Sequence, residues 1–141
     1  MLRIVRAAFG VALVLLLAGC GDPVERLKTA ASLRSQIELA MGRIEAEGDV
    51  PGLQHGQVTV EPDSDVGGFR VKVYDVRVGD AKIGLQSFTE VTFSLAQSDA
   101  THFDATDFKF MPPPVTEGPK AAADTLVGQL KRAMSVLQSA S

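Results

Sequence analysis

A chain of 141 residues with a formal net charge of −3 has the length of one folded domain and is too acidic to hold nucleic acid by charge. Its single cysteine excludes an internal disulfide, so the fold has to stand on a core drawn from the 45% of residues that are hydrophobic.

Arg3 and Arg6 precede an apolar run from Ala7 to Ala18, broken only by Gly10. The run has the length of a signal-peptide core and falls short of the ~20 residues that a bilayer-spanning helix needs. It closes on Leu17-Ala18-Gly19-Cys20, a large apolar residue, two small ones and a thiol. These four residues resemble the bacterial lipobox. The resemblance implies a cleaved signal peptide at 1–19, a diacylglyceryl thioether on Cys20 and acylation of the new amine by a chain such as palmitate. The competing reading is an ordinary leader or uncleaved anchor with a chance cysteine.

On the lipobox reading, the mature chain 20–141 is lipid-anchored in the bacterial cell envelope and faces the periplasm. One acyl chain holds a protein only marginally at ~0.8 kcal/mol per buried CH₂, whereas two or three hold it durably. Loss of Arg3 and Arg6 leaves 12 Lys and Arg against 17 Asp and Glu, a net −5. Attraction to anionic headgroups is therefore not expected, and the membrane partner is reached through the lipid on Cys20. Gly21, not an acid, follows Cys20. In the lipoproteins it resembles, that favours the outer membrane over the inner, with Asp22 one place later pulling the other way.

Asp22-Pro23-Val24-Glu25 reads as a helix start, with Asp22 as N-cap, Pro23 at the first helical position and Glu25 three residues after the cap. Leu27, Ala30, Leu33, Ile37, Met41 and Ile44 then recur at spacings of three and four, which predicts an amphipathic helix over 23–47. Gly48 and Pro51 stop it after ~37 Å, and Gly42 is a weak point within it.

From Gln57 the apolar period becomes two: Val58 and Val60, then Phe69, Val71 and Val73, then Ile83 and Leu85, then Val91, Phe93 and Leu95, then Phe103 and Ala105. The expectation is a sheet over about 57–111, with turns at 61–68, at Gly79-Asp80 and at 97–100. About four strands in an antiparallel meander fit, although Ile83 to Leu95 also reads as two short strands broken near Ser87. Val73 is followed by Val76, Leu85 by Phe88 and then Val91, and Ala105 by Phe108. Each is a change of phase that would turn apolar groups outward, so bulges or bends are expected near Tyr74-Asp75, Ser87 and Thr106-Asp107, giving a curved sheet.

Pro112, Pro113 and Pro114 form a linker that cannot donate to the ladder. Beyond it Pro119 opens a second amphipathic helix over about 119–138, with the apolar set Ala123, Leu126, Val127, Leu130, Ala133, Met134 and Leu137. The fold class is α+β, a curved antiparallel sheet packed with an N-terminal and a C-terminal helix in a single domain. The second helix either packs on its own sheet or swings on the proline run to dock on a partner.

Candidate sites are sparse. Asp63-Ser64-Asp65 with Gly67-Gly68 is similar to the start of a calcium loop, but Tyr74 stands where that loop needs its bidentate acid, which leaves a polar hairpin turn. His102, Asp104 and Asp107 could form an acid–base group, yet strand alternation puts His102 and Asp104 on an outward face. His55 reads as a loop residue. No nucleophile elbow or phosphate loop stands out, so no enzyme activity, cofactor or metal is expected. Phe88, Phe93, Phe108 and Phe110 either line an apolar groove or fill the core.

The stretch from Phe69 to Val115, about a third of the chain, with its segments FRVKVYDVRV, AKIGLQSFTEVTFSL and FDATDFKFMPPPV, resembles units of AsmA-type envelope proteins of Gram-negative bacteria. What the resemblance implies is an apolar curved sheet that handles lipid between membranes. The functional expectation is a membrane-tethered envelope lipoprotein acting as a non-enzymatic binding or assembly module with an envelope protein partner. The alternative is a carrier of lipid or another apolar ligand in the periplasm.

Overall fold

The structure, a computed structural model, describes residues 23–65, 67–99 and 102–137. Two helices and four strands follow one another as α1 (Pro23–Glu47), β1 (Val58–Asp63), β2 (Gly68–Asp80), β3 (Gly84–Asp99), β4 (His102–Met111) and α2 (Glu117–Met134). The strands form one antiparallel meander in the order β1-β2-β3-β4, so the chain is α+β with a helix at each end.

α1 buries Ala30, Leu33, Ile37, Ala40, Met41 and Ile44. Extended back by one turn, that row passes through Arg26 rather than Leu27, which is 61% exposed and does not belong to the core stripe. The reason lies 42 residues away. Arg26 Nη2 donates to the Gly68 carbonyl at 2.6 Å and the guanidinium stands 5.4 Å from the centre of the Phe69 ring, so the inward position of the first turns holds a cation.

On β2, the core-facing residues Phe69, Val71 and Val73 pair with Leu95, Phe93 and Val91 of β3. Beyond Asp75, which has a φ of 55°, the core set becomes Val76 and Val78, with Phe88 opposite Val76. The register does not shift across this point, so both strands change face together. The phase change on β3 therefore falls at Thr89-Glu90 and not near Ser87, and β3 is one continuous strand. Leu85, expected in the core, is 60% exposed.

The third change of phase is a bulge at Asp107, with a φ of 58°, between the pairs Ser94↔Thr106 and Thr92↔Lys109. Aspartate tolerates this left-handed conformation better than most side chains. One extra residue here lets Phe103, Ala105, Phe108 and Phe110 all join the same core.

The hairpin expected at Gly79-Asp80 instead turns through residues 81–83, with Asp80 still paired to Gly84. Asp80 Oδ1 accepts the amides of Lys82 at 2.9 Å and Ile83 at 3.0 Å, and Gly84, at a φ of 96°, returns the chain to the sheet. Ile83 thus belongs to the turn rather than to a strand.

α2 starts two residues before Pro119 because the first helical N–H groups need no intrahelical partner, so proline fits within the first turn. Thr116, extended at φ −131°, is its N-cap. The helix ends at Met134, short of the expected 138. There the Leu137 amide donates to the Met134 carbonyl at 3.1 Å, a tighter turn that still buries Leu137. Ala122, Leu126, Leu130 and Met134 join the sheet and α1 in one core, so the C-terminal helix packs on its own sheet.

Candidate functional site

Both helices contribute to a single core on one face of the sheet, and strand alternation turns the intervening side chains to the other. On that second face two cross-strand rows run through Thr59, Lys72, Thr92 and Lys109, and through Glu61, Arg70, Ser94 and Thr106. Thr92 and Ser94 are buried although they point away from the helices. Long side chains opposite them, Lys72 and Arg70 on β2 and Lys109 on β4, provide methylene stems that can cover small hydroxyls. Ser94 Oγ, 1% exposed as a residue, has no hydrogen-bond partner. Arg70 also reaches Asp63 Oδ2 at 3.3 Å, an ion pair at the sheet margin.

The four phenylalanines come together on the helix side. Phe93 stacks on Phe108 with ring centres 4.7 Å apart, and Phe88 meets Phe110 edge-on at 5.0 Å. Phe88 and Phe93 are buried to 1% and 0% exposure, while Phe108 and Phe110, on the edge strand, are half-buried against the same core. Their rings therefore occupy one another's space, which is core packing of the offset and edge-to-face kind.

Asp63 behaves as a turn residue: its Oδ1 accepts the Asp65 amide at 3.0 Å and its Oδ2 accepts from Arg70. His102 and Asp104 are exposed on β4 while Phe103 and Ala105 are buried, as alternation predicts. Among the described residues no group of three or more His, Cys, Asp or Glu side chains could hold a metal ion. Cys20 and the leader lie outside the described residues.

Two features escaped the sequence. His55 Nδ1 contacts the Glu45 carboxylate, which ties the segment before β1 to the last turns of α1, with both side chains largely buried. A cleft of about 250 Å³ lies between the C-terminal half of α1 and α2, lined by Arg43, Glu47, Asp49, Gln129 and Arg132 among others, and crossed by a Gln129 to Asp49 hydrogen bond of 3.0 Å. Neither had a local signal, because the partners sit on different elements.

Comparison of the chain with protein-family models, with curated proteins and with solved structures finds no match. Among the described residues no helix is long and apolar enough to cross a membrane.

Proposed function

We propose that the protein is a bacterial cell-envelope lipoprotein, tethered through acyl chains on Cys20 and acting from the periplasmic side as a non-enzymatic binding or assembly module. The observation that carries this reading is Leu17-Ala18-Gly19-Cys20 at the end of an apolar run, with α1 beginning at Pro23. Three residues after the thiol the chain enters a helix, so the domain works close against the bilayer. Gly21 after Cys20 favours the outer membrane. The long outward sheet face, carrying Lys72, Lys109, Arg70 and Glu61, is the surface offered to an envelope partner.

Palmitate labelling of growing cells tests the tether. Label is expected in the intact chain and absent from Cys20→Ser; equal uptake by both would remove the basis of the proposal.

A second reading is carriage of lipid or another apolar ligand. It is favoured by Phe108 and Phe110, which are only half-buried on an edge strand next to the buried Phe88 and Phe93, and by the resemblance to AsmA-type units. A ligand would have to enter where these rings now meet. Native mass spectrometry of a form lacking residues 1–20 separates the readings: co-purified lipid supports a carrier, and an empty domain supports the assembly module.

A further inference from the structure

The face of α1 opposite the core changes character along its length. In the first turns it presents Val24, 57% exposed, Leu27, 61% exposed, and Ala31, all on one side at helical spacing. The same outward side then continues as Arg34, Ser35 and Glu38, with Arg34 Nε 3.5 Å from the Glu38 carboxylate. Further along α1 Leu39 is exposed too, but stands alone, with Ser35, Gln36, Gly42 and Arg43 at helical spacing around it, so the grouped apolar side chains lie at the end of the helix that adjoins Cys20. Beside it, Lys28 and Glu25 pair with each other at 3.7 Å, and the Arg26 guanidinium is turned toward Gly68 and Phe69, away from this side.

We propose that Val24, Leu27 and Ala31 form a lipid seat, entering the interfacial layer of the same bilayer that holds the acyl chains of Cys20. The inference rests on the reading of Cys20 as the lipid-bearing residue. Val24 is four residues from Cys20, and four residues fully extended span at most ~14 Å. The bilayer surface is therefore within reach of the first turns of α1 in every conformation of the intervening chain. A patch of three apolar side chains binds a membrane weakly by itself. Tethered this closely it meets the surface at a high effective concentration, so a weak contact suffices to orient the domain.

The orientation has consequences for the rest of the fold. Arg26 fastens the start of α1 to Gly68, so the β1–β2 hairpin lies at the membrane end of the molecule. The far end of the 25-residue helix, together with the 79–84 turn and the start of α2, then lies away from the bilayer, since the helix is ~37 Å long.

Leu39, 69% exposed and ~18 Å further along the helix than Leu27, is the internal control. The chain has no tryptophan, so a single introduced one reports its own surroundings. The experiment uses lipidated full chain carrying Leu27→Trp or Leu39→Trp, in vesicles of phosphatidylethanolamine and phosphatidylglycerol with brominated acyl chains. At position 27 the emission is expected to shift to shorter wavelength and to be quenched by bromine, and at position 39 to stay water-like and unquenched. Val24→Trp, also at an exposed site, repeats the first result should one substitution perturb folding.

Chain that takes up palmitate and floats with vesicles, yet has unquenched tryptophan at both 24 and 27, overturns the seat and leaves the tether standing. Equal quenching at 27 and 39 overturns it too, in favour of a helix lying flat along the surface. Failure to take up palmitate removes the tether and the seat together.

Discussion

Arg26 and Gly68 are joined by a hydrogen bond of 2.6 Å across 42 residues of sequence, from a guanidinium that also covers the Phe69 ring. The bond fastens the first turns of α1 to the hairpin between β1 and β2. A hydrogen bond from a charged donor is worth ~1.5–3 kcal/mol where it is sheltered, and Arg26 is only half-buried. Arg26→Ala is therefore expected to cost about 2 kcal/mol in urea unfolding. Arg26→Met, which keeps the apolar stem, is expected to recover part of that loss. Amide exchange in the first turns of α1 should accelerate in both variants, because the helix start loses its fastening to the sheet.

Within each aromatic pair, stacked or edge-on, the two rings carry different weights. Phe88 and Phe93 are on the central strand and fully buried, whereas Phe108 and Phe110 lie on the edge strand and are half-exposed. Truncating a buried phenylalanine costs ~3–5 kcal/mol through lost transfer free energy plus the cavity left behind. Phe93→Ala is expected at that level and Phe110→Ala clearly below it, read from the shift of the urea midpoint at constant slope. Equal losses would mean that the edge rings are covered in solution, as a ligand or partner over β4 would cover them.

Gly42 stands in the interior of α1, where a methyl group would meet no atom within 4 Å. Glycine there costs ~0.5–1 kcal/mol against alanine through backbone entropy. Gly42→Ala is expected to stabilise the domain by about that amount. Gly118 is the opposite case, since a methyl there would run into the Ile83 carbonyl where α2 meets the turn between β2 and β3. Gly118→Ala is expected to destabilise, and the pair of variants separates helix propensity from close approach.

Much of the fold is legible because its rules are local. Period two over 57–111 and period 3.6 on either side give strands and helices, and the breaks of phase after Val73 and after Ala105 correspond to Asp75 and Asp107 at positive φ. Alternation misplaces the remaining break because Leu85 is apolar and fits the core set, whereas it sits outside at the end of the sheet. Leu27 misleads for the same reason: an apolar residue near the stripe takes the place that belongs to Arg26, whose partner is far away in sequence. The His55–Glu45 contact has no local pattern at all. What the sequence could not carry is which polar side chain finds a distant carbonyl or carboxylate, and whether four phenylalanines face a groove or one another.

The proline run leaves open, from sequence, whether α2 is core or an arm. Gln86 answers part of it: its Nε2 donates to the Pro113 carbonyl at 3.0 Å and its Oε1 accepts the Val115 amide at 3.0 Å, so the link is fixed to β3 on both sides of Pro114. The rest follows from the core, where Leu126, Leu130 and Met134 are each at most 1% exposed. Leu130→Ala leaves a cavity between α2 and the sheet and is expected to cost ~2–5 kcal/mol of global stability. An arm that docks on a partner gives another outcome, since truncating its apolar face leaves the free domain's unfolding midpoint where it was and lowers only the affinity for the partner. Gln86→Ala sharpens the distinction. It frees the link without touching the core, so α2 is expected to stay docked at a smaller cost, of about 1 kcal/mol for the lost bonds. Faster exchange in the amides of α2 than in those of β3 after that change would mean that the link, and not the apolar face, holds the helix down.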